Sequence, residues 1–243
     1  MHPILFSIGI FTIYSFGTMI AVGYLVAGML LWHDMHQKGK TPVLYLDLGI
    51  GLMLFALLGG RLLYMLLHLK MYLEDPLEIF KIHHGGLVFY GGFLGALLFA
   101  LFFIRRKRLP GWETLDDMTP YAVLVHAFGR IGCFLNGCCY GKPTGLWWGV
   151  IFPGGEVSLH PAQLYESLFL FLLFILLRRF SQRRIFKKGT LFVFYLLTYG
   201  VMRFFMEFLR GDQERAFWGL TLAQLLSMVL IASSIFLWKQ KRA

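Results

Sequence analysis

One stretch of this chain puts a permanent cation, three thiols and an amide close together: Gly129-Arg130-Ile131-Gly132-Cys133-Phe134-Leu135-Asn136-Gly137-Cys138-Cys139-Tyr140-Gly141. Its flanks read as membrane, where a central arginine costs roughly 2.5 to 3.5 kcal/mol on insertion scales and so calls for an anion, water or a ligand. A second charged group closes a later apolar run, Tyr199-Gly200-Val201-Met202-Arg203-Phe204-Phe205-Met206-Glu207-Phe208-Leu209-Arg210. Arg203 and Glu207 stand i,i+4 and Arg210 follows, so one helix face carries all three. An intrahelical ion pair with Arg210 snorkelling into headgroups explains that stripe without a ligand. Arg61, in Leu58-Gly59-Gly60-Arg61-Leu62, is another guanidinium at spanning depth. Guanidinium forks match phosphate oxygens, and three arginines in separate runs together point to a buried phosphate site open to the outer leaflet.

Other signals are weaker. His160-Pro161-Ala162-Gln163-Leu164-Tyr165-Glu166 opens a run with a proline suited to a first helical turn, and a cap plus an interfacial tyrosine explains it equally well. Tyr14, within the first run, is an ordinary membrane tyrosine or a site residue. Ile82-His83-His84-Gly85-Gly86-Leu87-Val88-Phe89-Tyr90-Gly91-Gly92 has two glycine pairs, suited to a loop against a lipid headgroup or to close helix packing. Cys133, Cys138 and Cys139 are the only cysteines. They admit an inert apolar role, a redox role, transient acylation, or metal binding with His126 or His160. Their spacing has no C-x-x-C pair, and no metal is expected.

These groups must be positioned by membrane helices. The 243 residues are 58% hydrophobic and 15% charged, above the roughly 45 to 50% apolar content of soluble domains. Runs long enough to cross a bilayer core of about 30 Å fall near 8 to 31, 43 to 68, 86 to 104, 118 to 136, 161 to 178, 189 to 208 and 219 to 238. The reading is an all-α polytopic membrane protein of about seven helices, a single domain over 1–243 with a lipid-accessible central cavity. The fourth run, with His126, Arg130 and several glycines, is expected to end early in an irregular segment. The first lacks a basic n-region and a small-residue cleavage site, so it is read as a retained helix. The net charge of +10 lies in short clusters rather than on one face, which argues against nucleic acid and for topology signals. The clusters His36 to Lys40, Arg105 to Arg108, Arg178 to Lys188 and Lys239 to Arg242 follow runs one, three, five and seven. This places the N-terminus outside and the C-terminus in the cytoplasm.

At these residues the sequence resembles the bacterial prolipoprotein diacylglyceryl transferase family across most of the chain. The family signature runs Gly-Arg, two residues, Asn-Phe, one residue, Asn, one residue, Glu, two residues, Gly; Gly129, Arg130, Phe134, Asn136 and Gly141 match it. Tyr14, Gly60-Arg61, Asp75-Pro76-Leu77, Gly85-Gly86 to Gly91-Gly92, His160-Pro161, Gln163 to Glu166, and Arg203 with Glu207 and Arg210 extend the similarity. Three positions depart: Cys133 stands for the signature asparagine, Cys138 for the glutamate, and Tyr90 for a histidine usual before the second glycine pair.

The resemblance implies a multi-pass enzyme of the bacterial plasma (inner) membrane. It would transfer the diacylglyceryl group of phosphatidylglycerol to the lipobox cysteine of an exported preprolipoprotein and release glycerol phosphate, with no cofactor. It assigns Arg130 and Arg203 to the phosphate, with Glu207 orienting Arg203. Tyr90, Tyr14 or Glu166 would assist thiol deprotonation. Arg61, Gly91, Gly92, Asn136, Gly141, His160, Gln163, Glu166 and Arg210 would line the substrate. The departures at Cys133, Cys138 and Tyr90 keep two alternatives open: a paralogue using phosphatidylglycerol with another acceptor, and a non-catalytic lipid-binding protein.

Overall fold

A computed structural model describes residues 1–8, 11–74, 86–183, 186–211, 215–217 and 219–242. Asp75-Pro76-Leu77 and the Ile82 to Gly85 part of the first glycine segment lie outside the described residues. In chain order the elements are β1 (Ile4–Ile8), β2 (Phe11–Tyr14), α1 (Ser15–Gln37), α2 (Pro42–Leu67), α3 (Leu69–Glu74), α4 (Phe89–Arg106), α5 (Gly111–Asn136), β3 (Val150–Ile151), β4 (Ser158–Leu159), α6 (Ala162–Arg183), α7 (Thr190–Leu209), β5 (Arg215–Phe217), β6 (Leu220–Thr221) and α8 (Leu222–Arg242). The strands form three two-stranded antiparallel hairpins. Helices α1, α2, α4, α5, α7 and α8 are each long and apolar enough to cross a membrane, so the protein is an all-α polytopic membrane protein. Helix α6 falls outside that group through its charges, Glu166 near its start and Arg178 and Arg179 near its end.

Two expectations are corrected here. The first run does not begin as a helix at residue 8. The β-branched and aromatic residues before Ser15 pair as a hairpin, with Tyr14 opposite Ile4, and the helix starts at Ser15. The Ser15 amide donates to the Pro3 carbonyl at 2.9 Å and its hydroxyl to that of His2, so Tyr14 belongs to a strand rather than to the first helix. The fourth run does not end early either. Helix α5 continues through Arg130 to Asn136 despite Pro120 in its interior, and it is the most buried of the six spans.

The chain forms two compact units, residues 1–34 with 112–243, and residues 35–111. In the second unit α2 and α4 pack through small residues. A Cβ on Gly91 would collide with the Gly59 carbonyl, and one on Gly95 with that of Phe55. Such close approach is how apolar helices associate without a hydrophobic driving force. Gly91 and Gly92 thus lie inside α4, which begins at Phe89, and not in a loop.

In the first unit, α5, α6 and α7 carry the buried polar residues Thr114, Asp117, Thr119, Gln163, Glu166, Ser167 and Glu207. Near the start of α5, Asp116 caps α7: its carboxylate accepts the Gly189 amide and, at 2.9 Å, that of Phe192. These are orphan donors of a helix N-terminus, where an anion is also favoured by the helix dipole. Asp34 at the end of α1 is 1% exposed and accepts four hydrogen bonds: Arg178 Nε at 2.6 Å, Arg178 Nη2 at 2.8 Å, the Tyr121 hydroxyl at 2.6 Å and Gln182 at 3.3 Å.

Candidate phosphate site

The second ionic cluster of the first unit lies farther along the same helices, about 14 Å from Tyr121 to Arg130 on α5 and about 18 Å from Arg178 to Glu166 on α6 at 1.5 Å per residue. Glu166 is 3% exposed. Arg130 of α5 approaches it to 3.0 Å, while Arg203 of α7 and His126 of α5 each stand 3.7 Å away. Arg203 also approaches Glu207 one turn on at 3.0 Å. Glu207 in turn accepts a 2.9 Å hydrogen bond from the Thr221 hydroxyl at the head of α8. Three helices therefore bring Arg130, Glu166, Arg203 and Glu207 into one buried group. The i,i+4 stripe on α7 was readable in the sequence, whereas the Glu166 bridge joins residues of three different runs. His126 stands i,i+4 to Arg130 on α5, whereas Thr221 had no periodicity to mark it as a member of the group.

The pairing is incomplete. Arg130 Nε, Arg203 Nη1, Glu166 Oε1 and Glu207 Oε2 are buried and make no hydrogen bond among the described residues, although the arginines lie within ion-pair distance of the acids. A buried donor left unmatched costs about 1 to 3 kcal/mol, which makes these guanidinium atoms candidates for an anionic partner.

The loop beyond α5 is tied down on both sides. The Gly141 amide donates to the His160 carbonyl at 2.9 Å and the Lys142 amide to that of Leu209 at 2.8 Å, and His160 returns a bond to Lys142 at 3.0 Å. Gly141 bridges to Arg210, and a Cβ on it would stand 2.7 Å from His160 Cβ and 2.9 Å from the Leu209 carbonyl. Only glycine admits that approach. Buried Gln163 donates to the Cys138 carbonyl at 2.6 Å. Tyr165 receives the Trp148 indole at 2.7 Å and stands 3.3 Å from His160 Nδ1. His160, Gln163, Gly141 and Arg210 are thus brought to one connection beside the ionic cluster, and Asn136 is the exposed last residue of α5.

Helix α5 ends in a Schellman turn. Gly137, at φ +75°, donates to Phe134 at 3.1 Å, and Cys138 donates to Cys133 at 3.2 Å. That motif lays the residue after the glycine over the one five before it, which stacks Cys138 on Cys133. Cys139, at φ +68°, turns the chain back again. All three sulfur atoms lie within 4.8 Å of one another.

Tyr14 is half-exposed on β2. In the second unit, Arg61 lies 3.5 Å from the Gly86 carbonyl and over the rings of Tyr64 and Tyr72, and exposed Tyr90 packs edge-on against Phe89.

The family model described as prolipoprotein diacylglyceryl transferase matches residues 3–239. A phosphatidylglycerol--prolipoprotein diacylglyceryl transferase of Clostridium tetani is 37% identical over 100% of this chain and 98% of its own. The similarly named transferase 2 of Clostridium perfringens is 34% identical over 93% and 90%, and that of Solidesulfovibrio magneticus 35% over 97% and 92%. Arginines gathered from separate spans, a glycine-pinned loop and likeness along the whole length converge: the chain belongs to the prolipoprotein diacylglyceryl transferase family.

Proposed function

We propose that this protein transfers the diacylglyceryl group of phosphatidylglycerol to the lipobox cysteine thiol of an exported prolipoprotein and releases glycerol phosphate. The observation that carries the reading is the pair of buried guanidinium atoms, Arg130 Nε and Arg203 Nη1, without hydrogen-bond partners among the described residues. The acceptor sulfur attacks the glyceryl carbon, and the electron pair of the breaking C–O bond leaves on the phosphate oxygen. Arg130 and Arg203 stabilise that charge in a low-dielectric site where their orientation is already set. Glu207, fixed by Thr221, orients Arg203, and Glu166 holds both arginines on one side of the anion. Asn136 faces the headgroup, while Gly141, His160, Gln163 and Arg210 shape the loop over it. Family similarity alone supports Arg61, Gly91 and Gly92 as substrate contacts. Glu166 is engaged by two arginines, which leaves Tyr14 and Tyr90 as side chains to assist the thiol proton. The whole chain acts as one transferase domain with seven spans in the bacterial inner membrane, N-terminus outside, its site serving the outer leaflet.

A second reading keeps the phospholipid and changes the acceptor; it is favoured by the thiols of Cys133 and Cys138 at two signature positions. Purified protein in phosphatidylglycerol bilayers is incubated with a lipobox peptide and read by mass spectrometry. A diacylglyceryl mass gain on the peptide cysteine that is lost in Arg130→Ala supports the first reading. Phospholipid turnover without that gain supports the second. Folded, lipid-bound protein with neither overturns both.

A further inference from the structure

Spacing alone predicts no metal at the cysteines, yet the Schellman turn and the left-handed Cys139 gather three sulfurs that the sequence sets apart. We propose that Cys133, Cys138 and Cys139 form a tri-thiolate site for a zinc-class cation whose fourth position receives the acceptor thiol. The first half stands on the geometry, and the second rests on the transferase reading.

Soft thiolates select zinc and its congeners. With Zn–S bonds of about 2.3 Å, tetrahedral sulfurs stand about 3.8 Å apart, so a triad already within 4.8 Å closes by about 1 Å through side-chain rotation. The sulfurs are half-buried, neither sealed away nor solvent-washed. The histidines considered as further ligands are committed elsewhere, His126 toward Glu166 at 3.7 Å and His160 toward Tyr165 at 3.3 Å. Among the described residues the ligand group is therefore the three thiols. Three protein ligands and an open fourth position are the arrangement of zinc sites that take part in chemistry, whereas structural sites close all four.

The charge balance fits. Binding releases three thiol protons to solvent, and three thiolates with a divalent cation carry one negative charge. Arg130 interacts electrostatically with Cys133 and Cys139, and Arg210 with Cys139, so two guanidinium groups face that charge. An acceptor thiol entering the fourth position loses its proton on coordination, as a metal-bound thiol does outright. Its sulfur then forms the C–S bond while the glyceryl C–O bond breaks and glycerol phosphate carries off the electron pair. The product thioether is neutral, a weaker donor, and departs. The cation thus takes over the deprotonation otherwise left to Tyr14 or Tyr90, beside the arginine that would receive the leaving phosphate.

The test uses full-length protein in phosphatidylglycerol bilayer discs, reduced, stripped with a chelator and titrated with Cd2+ or Zn2+ alone. The expected result is one Cd2+ per chain with a sulfur-to-metal charge-transfer band, competed by Zn2+, and metal protection of all three thiols against maleimide in the unsubstituted protein. Cys138→Ser loses the band, while Cys138→His, which keeps a ligand atom, retains one bound ion. A peptide with the lipobox cysteine shifts the band and its serine counterpart does not. Equal alkylation with and without metal, or a disulfide within the triad in protein isolated without reductant, overturns the site. A band indifferent to the cysteine peptide overturns the fourth-ligand role. Undiminished thioether formation by stripped protein rejects the metal and leaves the transferase reading standing. A peptide-responsive band with no thioether at any metal loading rejects the transferase reading and leaves the site.

Discussion

Two ionic clusters share helices α5 and α6 and both set arginine against a buried carboxylate, yet they differ in how fully they are paired. Around Asp34, a bidentate arginine, a tyrosine and a glutamine satisfy the carboxylate, and no buried side-chain atom of the group lacks a partner among the described residues. Around Glu166, two arginines and a second glutamate lie within ion-pair distance but leave four buried atoms without hydrogen bonds. A buried ion pair that is fully matched ties elements together, and removing one partner strands the other. One left unmatched holds its strain against a ligand that completes it. The difference in hydrogen bonding, not in charge, separates the group that fastens helices from the group proposed to meet the phospholipid.

The sharpest way to break this contrast is to delete one arginine of the unmatched group. Arg130→Ala is expected to lower thioether formation by about 100- to 1,000-fold, as for loss of one preorganised donor, with the thermal midpoint nearly unchanged; peptide mass spectrometry and a melting curve read the two together. Asp34→Ala should do the reverse, costing about 3 kcal/mol of stability because Arg178 is left partly buried without its acid, with activity per folded molecule retained. Chemical denaturation followed by activity of the folded fraction decides this, and an Asp34→Ala protein that folds normally but is inactive would erase the distinction. Phosphatidylglycerol at about 100 times its dissociation constant should stabilise the unsubstituted protein by about 2.7 kcal/mol, and Arg203→Ala should lose most of that gain in a lipid-titrated melt. Thr221→Val is the mildest, costing about 1 kcal/mol through one lost hydrogen bond. It should lower kcat a few-fold with KM unchanged, because it loosens the carboxylate that aims Arg203.

How much of this was legible depends on the range over which each signal acts. Hydropathy marked the long apolar helices, six of them long and apolar enough to cross a membrane, since length and apolar composition are local properties. The Arg203 and Glu207 stripe was legible for the same reason. The Glu166 bridge was not, because its partners are 36 residues upstream at Arg130 and 37 downstream at Arg203 by sequence number, and no periodicity connects separate helices. Arg178 reads as the start of a topology cluster, and no local pattern ties Asp34 to it across 144 residues. Tyr14 was misplaced because a short apolar hairpin and the start of a spanning helix have the same hydropathy. Metal-ligand spacing does not mark the thiol triad, although Asn136-Gly137 after an apolar helix is a C-cap signal that implies where Cys138 lies.

The cap that Asp116 places on α7 has a consequence for biogenesis. A helix that borrows its N-terminal acceptor from an earlier helix cannot satisfy its first amides alone. Because Asp116 is synthesised 73 residues before Gly189, the acceptor is in place when α7 leaves the ribosome. The order of translation and the order of docking then coincide, and a circularly permuted chain that made α7 before α5 would insert with that end exposed and in need of a chaperone.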